Sequence, residues 1–86
     1  MPSYHVTLAR TAEKELARLP LQIQERAISA IDLLSENPRR IGSKKLQGSL
    51  HAYRFRIGDY RIIYEINEKA KIVDIAHIRH RREAYD

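Results

Sequence analysis

Three arginines, Arg54, Arg56 and Arg61, stand in the run YRFRIGDYRIIYEI at a spacing that chemistry can use. Gly58-Asp59 signals a two-residue hairpin turn, which sets Ile57 opposite Tyr60 and Arg56 opposite Arg61, with Arg54 two residues further along the same face. Like charges facing each other across strands destabilise a sheet by roughly 0.2–1 kcal/mol, so folding alone gives no reason to collect them. An anion is the missing partner. A guanidinium keeps its charge at physiological pH and offers a planar fork to two phosphate oxygens at once. The chemistry these residues suit is therefore holding a phosphate and stabilising charge that develops on it, and they suit proton abstraction badly. The plainer reading is a docking surface for an acidic partner, and the two are compatible.

Other candidates are weighed against this cluster. Glu65 is the one carboxylate expected on the arginine face, where it is either a general base or an ion-pair partner of a neighbouring cation. Lys44 and Lys45 lie in a basic loop and add positive charge. His77 and His80 with Asp74 suggest a metal site on paper, but they fall on a strand and its exit, where a spacing of three does not align side chains as a helix would. Ser43 and Ser49 have no strained nucleophile elbow around them, and the isolated glycines form no phosphate-binding loop. No metal or cofactor is implied. Tyr85, after the basic run IRHRRE, either stacks on a base or covers the sheet edge.

The elements that must position these residues follow from periodicity. Tyr4, Val6 and Leu8 alternate with His5 and Thr7, as in a half-buried first strand over Ser3 to Ala9. Thr11 offers an N-cap for a short helix with Ala12, Leu16 and Leu19 inward, interrupted at Pro20. A second helix then presents Ile23, Ala27, Ile31 and Leu34, and Asn37-Pro38 ends it. Residues 39–49 read as a loop. Strands are expected at about Leu50 to Ile57, Tyr60 to Ile66 and Lys71 to Arg79, forming an antiparallel meander. The expected fold is α+β: an N-terminal strand, a helical hairpin, and a three-stranded meander completing one four-stranded sheet. Tyr53, Phe55, Ile57, Tyr60, Ile62, Tyr64 and Ile66 share its core face. The last strand is apolar on both sides, so its faces, and with them the placement of Arg79 and Arg81, stay open.

Eighty-six residues are expected to form a single domain, 1–86. The net charge of +5 hides an asymmetry: residues 1–38 hold four Lys/Arg against five Asp/Glu, and residues 39–86 hold twelve against six. Such a field concentrates polyanions. With no cysteine there is no disulfide framework, thiolate nucleophile or cysteine zinc site. The N-terminus lacks the apolar stretch of a signal peptide and no run is long enough to cross a bilayer, so a cytoplasmic location without a membrane partner is expected.

The order of elements, with YRFRIGDYRIIYEI, the loop segment KLQG and HRREAY, resembles the RelE/ParE superfamily of toxin–antitoxin toxins, and more closely its RelE side. The resemblance covers nearly the whole chain. It implies a metal-independent endoribonuclease that cleaves messenger RNA in the ribosomal A site, by attack of the ribose 2′-hydroxyl on the adjacent phosphate. It implies that Arg54 and Arg56 contact the scissile phosphate and its surroundings, that Arg61 stabilises the transition state, and that Arg81, preceded by His80, helps protonate the leaving oxygen, with Arg79 as its alternative. Tyr85 matches the family tyrosine that stacks on the nucleotide. Some members carry lysine where Arg54 and Arg56 stand, or use a Glu/His pair for proton transfer. The base here is left open among Glu65, His80 and a ribosomal group. The partners implied are the ribosome with its message and a RelB-like antitoxin with acidic amphipathic segments. The alternatives are a ParE-like toxin that inhibits DNA gyrase without nuclease activity, and a non-catalytic basic binding module.

Overall fold

Alternation of Val6 and Leu8 with His5 and Thr7 does build a strand, β1 (His5–Leu8), in the computed structural model, which describes residues 3–82. The chain passes directly into α1 (Arg10–Ala17) and α2 (Leu21–Leu33), then β2 (Lys44–Lys45), β3 (Ala52–Ile57), β4 (Tyr60–Asn67) and β5 (Ile72–His80). One sheet runs in the order β1-β5-β4-β3-β2, with β1 parallel to β5 and the other pairs antiparallel. The fold is thus α+β with five strands where four were expected. The additional strand, β2, lies inside the stretch read as a loop. Two residues are too few to show a period, and what creates the strand is pairing with β3, Lys44 to Arg54 and Lys45 to Tyr53.

Helix boundaries shift for similar reasons. Ala9, not Thr11, precedes the first helix, and no side chain caps it. The Ala9 amide is instead donated to the Ile75 carbonyl, so the pairing of β1 with β5 decides where the helix begins. Pro20 lies immediately before α2, where its fixed φ and missing N–H cost nothing. The second helix ends at Leu33, before Asn37-Pro38, in a tightened turn in which Leu34, Ser35 and Glu36 bond carbonyls three residues back.

The core lies between the helices and one face of the sheet. Ala12, Leu19, Ala27, Ala30, Ile31 and Leu34 meet Phe55, Ile57, Ile62, Tyr64, Ile66, Val73, Ile75 and Ile78. Tyr64 is completely buried, stacked on Tyr53 at 5.9 Å and edge-on to Phe55 at 5.8 Å between ring centroids. Its hydroxyl donates to the Pro38 carbonyl at 2.6 Å, which ties the exit of α2 to the sheet. Burial pushes this phenol's pKa up, so it remains a donor.

One end of the sheet is closed by an exposed polar network. Glu68 accepts from the Tyr4 hydroxyl at 2.7 Å and pairs with Arg39 and Lys71. The Tyr4 hydrogen bond first, and Arg39 second, hold its carboxyl at about 2. A depressed folded-state pKa stabilises the fold above the ordinary carboxylate range and loses that contribution as pH falls through the folded value. Between about pH 4.5 and 2, unfolding stability is therefore expected to fall more steeply in the wild type than in Glu68→Gln. Denaturant titrations across that window would show it, and equal slopes would exclude the network as a source of acid sensitivity.

Candidate functional site

The β3–β4 turn puts the arginines where the hairpin spacing expects them. Ile57 pairs with Tyr60, Arg56 with Arg61 and Arg54 with Ile63. Gly58 has φ +59, and Lys71 is the one positive-φ non-glycine residue among those described. A positive φ at the first central position and not at the second is the pattern of a type II′ turn, which calls for glycine there. A side chain at Gly58 would also press on Ile23, whose Cδ1 lies 3.4 Å from an added Cβ.

Arg61 pairs in turn with Arg79 of β5. Arg56, Arg61 and Arg79 therefore form one row across three adjacent strands, about 10 Å wide at the usual strand separation, on the face away from the helices. The next row along the strands is Lys44, Arg54, Ile63 and His77. Lys44 joins this face; Lys45, paired with Tyr53, belongs to the other.

What brings Arg79 and His77 to the arginine face is an irregularity. The β4–β5 register shifts between Ile63 and Tyr64, so that Ile63 pairs with His77 while Tyr64 pairs with Ile75, leaving Ala76 as the extra residue. A bulge of this kind lets one strand change phase against its partner. Val73, Ile75 and Ile78 are all buried as a result, although a strict alternation would expose Ile78. His80 falls on the core side, edge-on to the Tyr60 ring at 5.3 Å, and its Nδ1 accepts from the Arg82 amide at 3.2 Å. It is not brought together with the arginine row.

Arg81 follows the strand and sits beside the hairpin turn. Its amide donates to the Asp59 carbonyl at 2.7 Å, and its guanidinium lies 3.9 Å from the Asp59 carboxylate. Glu65 shares the arginine face but pairs with Ala52 and Asp74, four residues from Arg61 and so roughly 13 Å away along the strand. It lines a different groove, of about 440 Å³, with His51, Asn67, Glu68 and Asp74. Tyr85 lies outside the described residues.

Beside β3, on the side where the chain approaches the start of β2, Arg40, Ile41, Gly42, Lys44, Arg54, Phe55 and Arg56 line a groove of about 430 Å³. Arg40 lies over the Phe55 ring, 4.6 Å from its centroid, a favourable place for a guanidinium. Sequence reasoning missed Arg40, whose only signal was membership of the basic stretch RRIGSKK. It also missed Glu15. That carboxylate, from α1, accepts the Ile78 amide at 2.8 Å, lies 3.5 Å from Arg79 Nε and 3.7 Å from His77 Nδ1. β1 covers the β5 edge only as far as Ile75, and Glu15 takes the amide left open beyond it, satisfying an edge that would otherwise be exposed. Among the described residues, no three His, Asp or Glu side chains converge as a metal site requires, and no helix is long and apolar enough to cross a membrane.

Chemically, a row of three fixed cations flanked by Lys44 and Arg54 can bind an extended anionic chain and concentrate positive charge at one point of it.

Residues 6–85 match the family described as the ParE toxin of type II toxin–antitoxin systems. The chain is 37% identical over 84 residues to the toxin RelE of Mycobacterium tuberculosis, covering 95% of this chain and 86% of that one. It is 33% identical to the toxin RelE3 of Methanocaldococcus jannaschii, with 94% of each covered. The RelE–RelB complex of Pyrococcus horikoshii contains a chain of the same fold, with a TM-score of 0.83 and 32% identity over 95% of this chain and 99% of that one. The fold, the sequence match and these relatives agree: the chain belongs to the RelE/ParE superfamily of toxins of type II toxin–antitoxin systems.

Proposed function

We propose that this chain is a RelE-type toxin that cleaves messenger RNA in the ribosomal A site and is neutralised by a RelB-like antitoxin. The observation that carries the reading is the row Arg56, Arg61 and Arg79, extended by Lys44 and Arg54, on the helix-free face of the sheet. In the reaction, the ribose 2′-oxygen attacks the adjacent phosphorus, and the bond from phosphorus to the 5′-oxygen breaks, leaving a 2′,3′-cyclic phosphate. Negative charge builds on the phosphoryl oxygens in between. Arg61, central in the row, stabilises that charge, while Arg56 and Arg54 hold the strand in register. Arg81, at the hairpin turn, and Tyr85 act on the leaving oxygen and the nucleotide ring, as the family resemblance implies. The antitoxin is an acidic, amphipathic protein that covers the basic face; the relatives solved with RelB support such a partner.

The test is translation in a cell-free extract. Message cut within A-site codons, with cyclic phosphate ends, supports the reading. The match to a family described as ParE favours a second reading, inhibition of DNA gyrase, for which linearised or relaxed plasmid is the mark. Neither outcome leaves a basic binding module. If the face tracks a phosphate backbone, Arg54→Ala and Lys44→Ala should each lower affinity for message-loaded ribosomes. Each should also reduce the slope of log affinity against log salt by about 0.7, and a slope unchanged in both would remove these residues from the interface.

A further inference from the structure

Of the two histidines on β5, the structure brings the one nearer its middle, His77, to the arginine face, and gives it a carboxylate partner. We infer that His77, held by Glu15, is the general base that takes the proton from the attacking 2′-hydroxyl; the inference rests on the nuclease reading above.

Three observations carry it. His77 pairs with Ile63 in the row of Arg54, one two-residue step from the row of Arg61 and Arg79, or about 7 Å along the strand. A phosphate held on the arginines leaves its neighbouring ribose within reach of the ring. His77 is only partly buried, with 35% of its side chain exposed, yet its Nδ1 is buried and lacks a hydrogen-bond partner. A buried polar atom left in this state calls for an explanation. The atom points toward Glu15 Oε1 at 3.7 Å. Glu15 is itself fixed, because the same oxygen accepts the Ile78 amide at 2.8 Å and the other oxygen faces Arg79. With Nδ1 as the N–H directed at the carboxylate, Nε2 carries the lone pair that can accept a proton. Catalytic contacts of this type are often long in the free enzyme and close in the substrate complex.

The step balances as follows. The 2′-O–H bond breaks and its proton passes to Nε2; the 2′-oxygen bonds to phosphorus; the 5′-oxygen leaves with Arg81 donating a hydrogen bond to it and takes a proton from water. The imidazolium, opposed by Glu15, then returns its proton to solvent. Around the ring the other ionisable groups on the packed elements are Arg79 and Asp74 on β5, Arg61 and Glu65 on β4, Arg54 on β3, and Arg18 at the end of α1, which lines a groove with Glu15 and Arg79; the neighbouring β1 carries His5, paired with Ile72 at the start of β5, and Thr7, which bonds Asp74.

Single-turnover message cleavage on purified ribosomes over a pH range tests this. His77→Gln is expected to lower the rate about 100-fold and to abolish the rise in rate with pH attributable to a base, and added imidazole should partly restore cleavage by His77→Ala. Glu15→Gln, which keeps an acceptor for the Ile78 amide, should lower the rate about 10-fold. Its effect should vanish in the double variant, because residues acting as one unit are not additive; a purely structural Glu15 would give full additivity. If His77→Gln melts well below the wild type, His77→Ser replaces it in the same series. Wild-type cleavage with His77→Gln within threefold and an unaltered pH profile overturns this inference alone, and so does full additivity. A wild-type chain that cuts no message overturns the nuclease reading beneath it.

Discussion

Replacing Arg61 by alanine is expected to slow message cleavage about 100- to 1000-fold while leaving the far-ultraviolet circular dichroism unchanged. That range is what removal of one fixed donor to a developing anionic charge typically costs. Arg61 occupies the middle of the row, with Arg56 on one strand and Arg79 on the other, so it is the cation nearest any phosphate that both neighbours engage. Arg61→Lys should recover only part of the loss, since an ammonium retains the charge but not the planar two-pronged contact. Cleavage by Arg61→Ala within threefold of wild type would move the reacting phosphate elsewhere on the protein, whatever the chain's function.

The second large effect concerns the fold. Tyr64→Ala should destabilise the protein by about 3–5 kcal/mol, the usual cost of removing a buried aromatic ring, which is a large share of the roughly 5–15 kcal/mol that holds a domain together. In a chain of this size, that lowers the melting temperature by more than about 12 °C. Tyr64 lies under Tyr53 and Phe55, and its hydroxyl anchors Pro38. Tyr64→Phe separates the two contributions: it keeps the ring and leaves the Pro38 carbonyl without this donor, so about 1 kcal/mol is expected. Chemical denaturation of both variants gives the comparison. If Tyr64→Phe loses as much as Tyr64→Ala, the hydroxyl and not the ring is what closes the core.

Much of this was legible along the chain. Gly58-Asp59 between two alternating runs names the hairpin, and the period of two then assigns Arg54, Arg56 and Arg61 to one face and Phe55, Ile62 and Tyr64 to the other without reference to anything distant. The two helices were visible for the same reason: the spacing of Ala27, Ile31 and Leu34 is a local property. β2 was not, because Lys44 and Lys45 become a strand only when β3 is there to pair with them. The start of α1 was misread at Thr11 because a hydrogen bond from Ala9 to Ile75, across 66 residues of chain, outweighs a local capping preference.

By itself the sequence determined that a hairpin would carry guanidiniums on one side, since turn chemistry and side-chain alternation act over two to ten residues. Only the tertiary structure decided which residues of β5 join them. A pattern apolar on both sides admits two phases, and the choice fell to packing: burying Ile75 and Ile78 together forces the extra residue at Ala76, which turns His77 and Arg79 outward and His80 inward. Glu15 meets them for the same reason. Its partner amide exists only where β1 stops short on the edge of β5, a fact about how strands assemble that no stretch of residues states.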